Sequence, residues 1–104
     1  MAAIARANAV DSVLSPDGKG KKCAYPLDIK TGAASQSKVF ADGTPVAVIG
    51  DIVMPHPRAG CSLDTSSLSS ASSRVFAAGK GVARIGDSYG NNRIISGSSR
   101  CFSN

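Results

Sequence analysis

One pattern of apolar and polar positions occurs twice along the chain. Val39-Phe40-Ala41 and Val46-Ala47-Val48-Ile49 flank Asp42-Gly43, while Val75-Phe76-Ala77 and Val82-Ala83-Arg84-Ile85 flank Ala78-Gly79. Short β-branched and aromatic runs on either side of a dipeptide that tolerates positive φ predict β-hairpins with type I′ turns. The match is gapless, with ten of fifteen positions identical between 37–51 and 73–87. Pro45 suits a strand start or an edge, where no backbone donor is needed. Gly50-Asp51 and Gly86-Asp87 end each unit, the glycine permitting a sharp exit and the carboxylate accepting backbone N–H groups of the following turn.

The first half of the unit returns as Ser99-Arg-Cys-Phe-Ser-Asn104, and Ala3-Ile4-Ala5-Arg6 echoes Val82-Ala83-Arg84-Ile85. Joining the chain ends completes a third unit, split between the N-terminus and residues 98–104. An open stack has no need to finish its first unit with its last, so the split predicts a closed object of approximate threefold symmetry. A lone hairpin is marginal in water, and three together share one core. That core is expected to draw on Val39, Phe40, Val46, Ile49, Val75, Phe76, Val82, Ile85 and Phe102. Strand alternation lets only one member of each adjacent Val-Phe pair face inward, leaving the other for a second layer or a partner. Cys101 stands where Val39 and Val75 stand and reads as a small core residue. Residues 11–30, 52–72 and 88–98 read as long loops.

Composition narrows the function. At 104 residues the chain makes one domain, 1–104. It has no apolar run near the ~20 residues a membrane helix needs and no signal-peptide core, which predicts synthesis in the cytoplasm without a signal peptide. Only 5% aromatic residues with eleven glycines favour short strands over a thick helical core. The net charge of +5 admits anionic partners. Its one local cluster, Lys19, Lys21 and Lys22, lacks the interleaved aromatics of a base-stacking platform. Phosphate-cradling glycine loops are absent and the lone histidine is shut between prolines, so no enzyme class is indicated.

His56, the one histidine, sits in Met54-Pro-His-Pro57, stiffened by its flanking prolines. Cys61 follows five residues later, and Cys23 lies in the preceding long loop. An imidazole with two thiolates suits zinc or iron. Without a Cys-x-x-Cys pair or a second histidine, a surface histidine with two buried thiols fits the spacing too. An odd cysteine count in a chain without a secretion signal argues against a disulfide framework.

The units Val39 to Asp51 and Val75 to Asp87, with Ile95-Ser96-Gly97-Ser98-Ser99 before the last strand, resemble the repeat of PAAR-repeat proteins. The resemblance implies an all-β fold, a small conical domain of three pseudo-threefold hairpin units with long loops. It implies the structural tip of a membrane-piercing spike, one copy capping the trimeric β-helical spike of a phage baseplate or type VI secretion apparatus. Location in the virion or secretion by the apparatus would follow, with transient contact to a target membrane and no nucleic acid. It also implies one zinc or iron per chain near the apex, on Cys23, His56 and Cys61. Tyr89 stands where a third-loop cysteine is expected. The rival reading is a small basic β-module that binds nucleic acid, marked by steep salt dependence. An isolated metal carrier would need an ion that leaves reversibly.

Overall fold

The computed structural model describes residues 2–15, 28–57, 63–90 and 92–103. They form β1 (Ala2–Ala3), β2 (Ser12–Leu14), β3 (Asp28–Lys30), β4 (Phe40–Ala41), β5 (Thr44–Pro45), β6 (His56–Pro57), β7 (Leu63–Asp64), β8 (Phe76–Ala77), β9 (Lys80–Gly81), β10 (Ser88–Tyr89), β11 (Asn92–Ile94) and β12 (Phe102–Ser103). Among the described residues there is no helix, and the fold is all-β.

Both repeats close as hairpins, β4 on β5 and β8 on β9, with Phe40 opposite Pro45 and Phe76 opposite Gly81. Asp42 and Gly43 have φ of 53° and 81°, Ala78 and Gly79 of 53° and 80°. Two consecutive positive φ values define the type I′ turn the sequence predicts. The third hairpin pairs the chain ends: β1 on β12, Ala2 opposite Ser103 and Ala3 opposite Phe102. The termini therefore stand where the other two units have their turns.

Each hairpin leads into a short extended segment, and the three segments join in a closed ring. Ile4 bridges Arg84, Arg6 bridges Val46, and Val48 bridges Val82. At the centre Ala5 N–H donates to Ala83 O at 2.9 Å, Ala83 N–H to Ala47 O at 2.9 Å, and Ala47 N–H to Ala5 O at 3.0 Å. Side chains alternate across this layer as strand pleating requires. Ala5, Ala47 and Ala83 join one buried cluster, and Ile4, Val46, Val48 and Val82 join another, together with Ala41 and Ala77 from the hairpins. The ring is thus a floor between a hairpin layer and an upper layer.

The upper layer corrects the expectation of long loops at 11–30, 52–72 and 88–98. Those segments carry β2, β3, β6, β7, β10 and β11. Sheet pairing runs β10, β11, β2, β3, and the bridges Thr31 to Val53, Ile52 to Ser67 and Leu68 to Tyr89 complete the circuit. Six extended segments close on themselves, and closure removes the exposed edges a two-residue strand would otherwise leave. Each segment sends one side chain inward: Val13, Ile29, Val53, Leu68, Tyr89 and Ile94 are all buried over the alanine floor.

The expected core also needs correction. Val46 and Val82 are buried, and Val75 and Cys101 are partly buried against the hairpin-layer cluster. Phe40, Phe76 and Phe102 are 52%, 56% and 46% exposed, and Val39, Ile49 and Ile85 also face out. The strand register places Ala41, Ala77 and Ser103 inside, adjacent to each phenylalanine, so each ring points outward.

Candidate functional site

The exits from the alanine floor are built alike. In unit one, Asp51 N–H donates to Val48 O at 3.0 Å, and Val48 N–H donates to the Asp51 carboxylate at 3.0 Å. In unit two, Asp87 N–H donates to Arg84 O at 3.0 Å, and Arg84 N–H to Asp87 at 2.8 Å. Gly50 and Gly86, with φ of 92° and 97°, supply the left-handed position each of these turns requires. The carboxylates reach back into their own turn rather than forward into the next. The split unit has a longer turn, in which Asn8 and Ala9 take positive φ and Asp11 accepts the Arg6 N–H.

These three aspartates are buried and hydrogen-bonded, and two of them are paired with an arginine. Arg6 donates through Nε and Nη2 to Asp11, both at 2.9 Å, and Arg84 does the same to Asp87, both at 3.0 Å. Where unit one has Val48, Ser35 Oγ donates to Asp51 instead. Burial by itself would raise the Asp11 carboxyl. The Arg6 side chain, the Arg6 N–H, Ser96 and the Arg6 charge together outweigh it and hold Asp11 below the usual carboxylate range. The partner effects raise Arg6 through its hydrogen bonds to Asp11, and Arg84 through Asp87. Such fully satisfied buried carboxylates are structural joints, each closing one corner of the floor.

At the barrel end, His56 lies on β6, which pairs with β7, His56 opposite Asp64. Met54 N–H donates to Lys30 O at 3.2 Å, so the segment that leads to His56 runs beside β3. Cys61 falls in the connection from β6 to β7, and Cys23 in the connection from β2 to β3; both lie outside the described residues. Neighbouring strands thus carry the two connections on which the expected ligands stand. Among the described residues no group of three or more His, Cys, Asp or Glu is placed to hold a metal ion. Cys101 is a free thiol packed against the hairpin-layer cluster.

Tyr89 is not a loop residue. Counting from the joint aspartates, Asp11-Ser-Val13, Asp51-Ile-Val53 and Asp87-Ser-Tyr89 are equivalent, and Tyr89 occupies the core place that valine takes twice. Its hydroxyl is buried without a hydrogen-bond partner among the described residues. Burial first, then the charges of Asp51 and Asp11, raise its phenol above the ordinary value.

The hairpin end carries a surface repeated in all three units. Phe40, Phe76 and Phe102 occupy one position in the three units and project outward from it. Reading the chain for hydrophobicity alone assigns them to the core; the signal that places them outside is the small residue that follows each, Ala41, Ala77 or Ser103.

No curated protein matches this sequence. The PAAR motif matches residues 28–92, from β3 through the first residue of β11. That span holds both complete hairpins, two sides of the alanine ring and two of the three aspartate joints, and on that match the chain belongs to the PAAR motif family.

Proposed function

We propose that the chain is the structural tip of a contractile injection apparatus, one copy capping a trimeric β-helical spike with its hairpin end. Proteins with this motif are associated with the spike tips of such systems. The observation that carries the reading is the ring of Ala5, Ala83 and Ala47. It lets one chain repeat each feature of its hairpin end three times and so meet three identical chains with none left unmatched. Three outward phenylalanines give that end an apolar contact on each side. The role calls for rigidity and for no reaction. A β-barrel without free edges, each of its segments filled by one buried side chain, resists deformation better than loops would.

The reading includes a zinc or iron ion at the barrel end, held by Cys23, His56 and Cys61, donors whose chemistry suits either metal. Bound there, it would cross-link the two longest connections of the upper layer. The particle is a phage baseplate or a type VI secretion apparatus, and the tip touches the target membrane only in passage. Native mass spectrometry of the chain co-expressed with a trimeric β-helical spike protein of the same host tests the capping. One tip per three spike chains is expected; a 3:3 complex or a homotrimer of this chain alone overturns it.

A further inference from the structure

The hairpin end bears a second triplet that apolar docking leaves unexplained. Lys38, Arg74 and Arg100 hold one position in the three units, two residues ahead of Phe40, Phe76 and Phe102, and all six are exposed. Each cation lies in the bend just before its strand, two residues ahead of the phenylalanine, so cation and ring recur together in all three units of the hairpin end. The backbone beneath each cation is clamped in the same way. Gln36 Oε1 accepts the N–H groups of Lys38 and Val39, both at 2.9 Å. Ser72 Oγ accepts those of Arg74 and Val75 at 3.1 and 3.0 Å, and Ser98 Oγ those of Arg100 and Cys101, both at 3.0 Å. The three clamping residues are buried, so the array is built rather than incidental.

These charges do nothing inside the fold. Arg6 serves Asp11 and Asp42, and Arg84 serves Asp87. Lys38, Arg74 and Arg100 make no ion pair or side-chain hydrogen bond among the described residues. Three like charges on one face repel a second copy of the chain and attract a surface of opposite sign.

We propose that this face is read by carboxylates: each chain of a threefold partner presents an Asp or Glu side chain to one of Lys38, Arg74 and Arg100, beside an apolar seat for the neighbouring phenylalanine. The inference rests on the capping reading and adds the chemistry of the partner surface. A bilayer or a polynucleotide would also attract cations beside aromatics, but neither has a threefold arrangement for the triplet to match.

The test uses the full chain and a recombinant trimeric β-helical spike protein of the same host. The reversal K38E/R74E/R100E should keep the wild-type melting temperature, because the side chains are exposed, and weaken spike binding about 100-fold or more. Each single reversal should weaken it by a similar step of about three- to tenfold. The swap K38R/R74K/R100K should bind like wild type, and raising NaCl from about 50 to about 500 mM should weaken wild-type binding at least about tenfold. If the reversal fails to fold, K38Q/R74Q/R100Q takes its place. A one-to-three complex of unchanged affinity in the triple variant overturns the carboxylate inference and leaves capping intact. Absence of any complex with the wild type overturns capping and this inference with it. Phosphatidylcholine vesicles with about 30% phosphatidylglycerol, and oligo(dT), are the remaining probes. Binding to either that the reversal abolishes, while spike binding persists, gives the triplet to lipid or nucleic acid and overturns the proposal.

Discussion

The N–H of Ala47 donates to the carbonyl of Ala5 at 3.0 Å, and this bond joins the first complete unit to the unit split between the chain ends. Without it Ala5, Ala83 and Ala47 would form an open line of strands with two edges. With it, each alanine donates once and accepts once, and a chain of only three residues per side has no unpaired centre. The N-terminal residues are therefore one wall of the floor.

The floor has no room for larger side chains, since Ala5, Ala47 and Ala83 are fully buried and face the six inward side chains of the barrel. Replacing any one of them by valine should cost about 1–3 kcal/mol through overpacking. The threefold relation makes the cost similar at 5, 47 and 83. Urea denaturation midpoints of the three single variants are the measurement, and an unperturbed Ala47→Val would count against the ring.

Outward phenylalanines reverse the usual expectation for aromatic truncation. Phe40→Ala and Phe76→Ala should lower stability by no more than about 1 kcal/mol, because about half of each residue is already in water. Val82→Ala, buried beneath the floor, should cost more, at about 2 kcal/mol. Chemical denaturation of all three variants orders them; a Phe76 variant less stable than the Val82 variant would put the ring back in the core.

What is legible in the sequence is what is local. The hairpins around Asp42-Gly43 and Ala78-Gly79 have both strands and the turn within one short window, and the turn chemistry announces itself. The split third unit is legible because Phe102 and Ile4 preserve the pattern of their equivalents. The barrel escapes, since β11 pairs with β2 at Ile94 and Val13 across most of the chain, and two- or three-residue strands are too short to display alternation. Its one trace is the spacing of Asp11, Asp51 and Asp87 from Val13, Val53 and Tyr89. Phe40 misleads for another reason: hydrophobicity does not reveal that the inward neighbour is Ala41, which packs with Val46, Val48 and Val82. At the barrel end, His56 is placed on a strand, while Cys23 and Cys61 lie outside the described residues.

Asp11 predicts the acid limb. Its folded carboxyl titrates below the ordinary 3.8 because the bonds and charge of Arg6 and Ser96 outweigh the opposing effect of burial. A depressed folded value means that ionised Asp11 contributes stability above the unfolded value and that the contribution is lost as pH falls through the folded one. Denaturation midpoints should therefore drop below about pH 4. Asp11→Asn should be less stable at pH 7 and show a shallower acid decline. Equal slopes in the two proteins would remove Asp11 from the account.

Tyr89 predicts the alkaline limb with the opposite sign. Burial, reinforced by Asp51 and Asp11, raises its phenol above the ordinary 10.0, so the unfolded chain loses that proton first. The stability that depends on the neutral phenol is complete below pH 10 and declines as pH rises beyond it. Tyr89→Phe keeps the ring and removes a buried hydroxyl that has no partner among the described residues. The variant should match or exceed wild-type stability by about 1–2 kcal/mol at pH 7 and lose part of the alkaline decline. Tyr89→Val, which copies Val13 and Val53, should instead lose about 2–4 kcal/mol through the cavity it leaves. Destabilisation by phenylalanine would show that the hydroxyl has a bonded role.

Metal removal addresses the barrel end. Protein purified without a metal-affinity column should contain one equivalent of zinc or iron by elemental analysis if Cys23, His56 and Cys61 act together. Chelation should then lower the melting temperature, because a ligand bound only to the folded state stabilises it by mass action. His56→Ala should melt lower than wild type, and chelator should shift it no further. Cys101→Ser provides the control: this thiol packs against the hairpin-layer cluster, on the far side of the alanine floor from the barrel. Its substitution should leave metal content unchanged while lowering stability modestly. Metal well below one equivalent in wild type, before and after refolding with zinc or iron, would leave His56 as a strand residue without a ligand role.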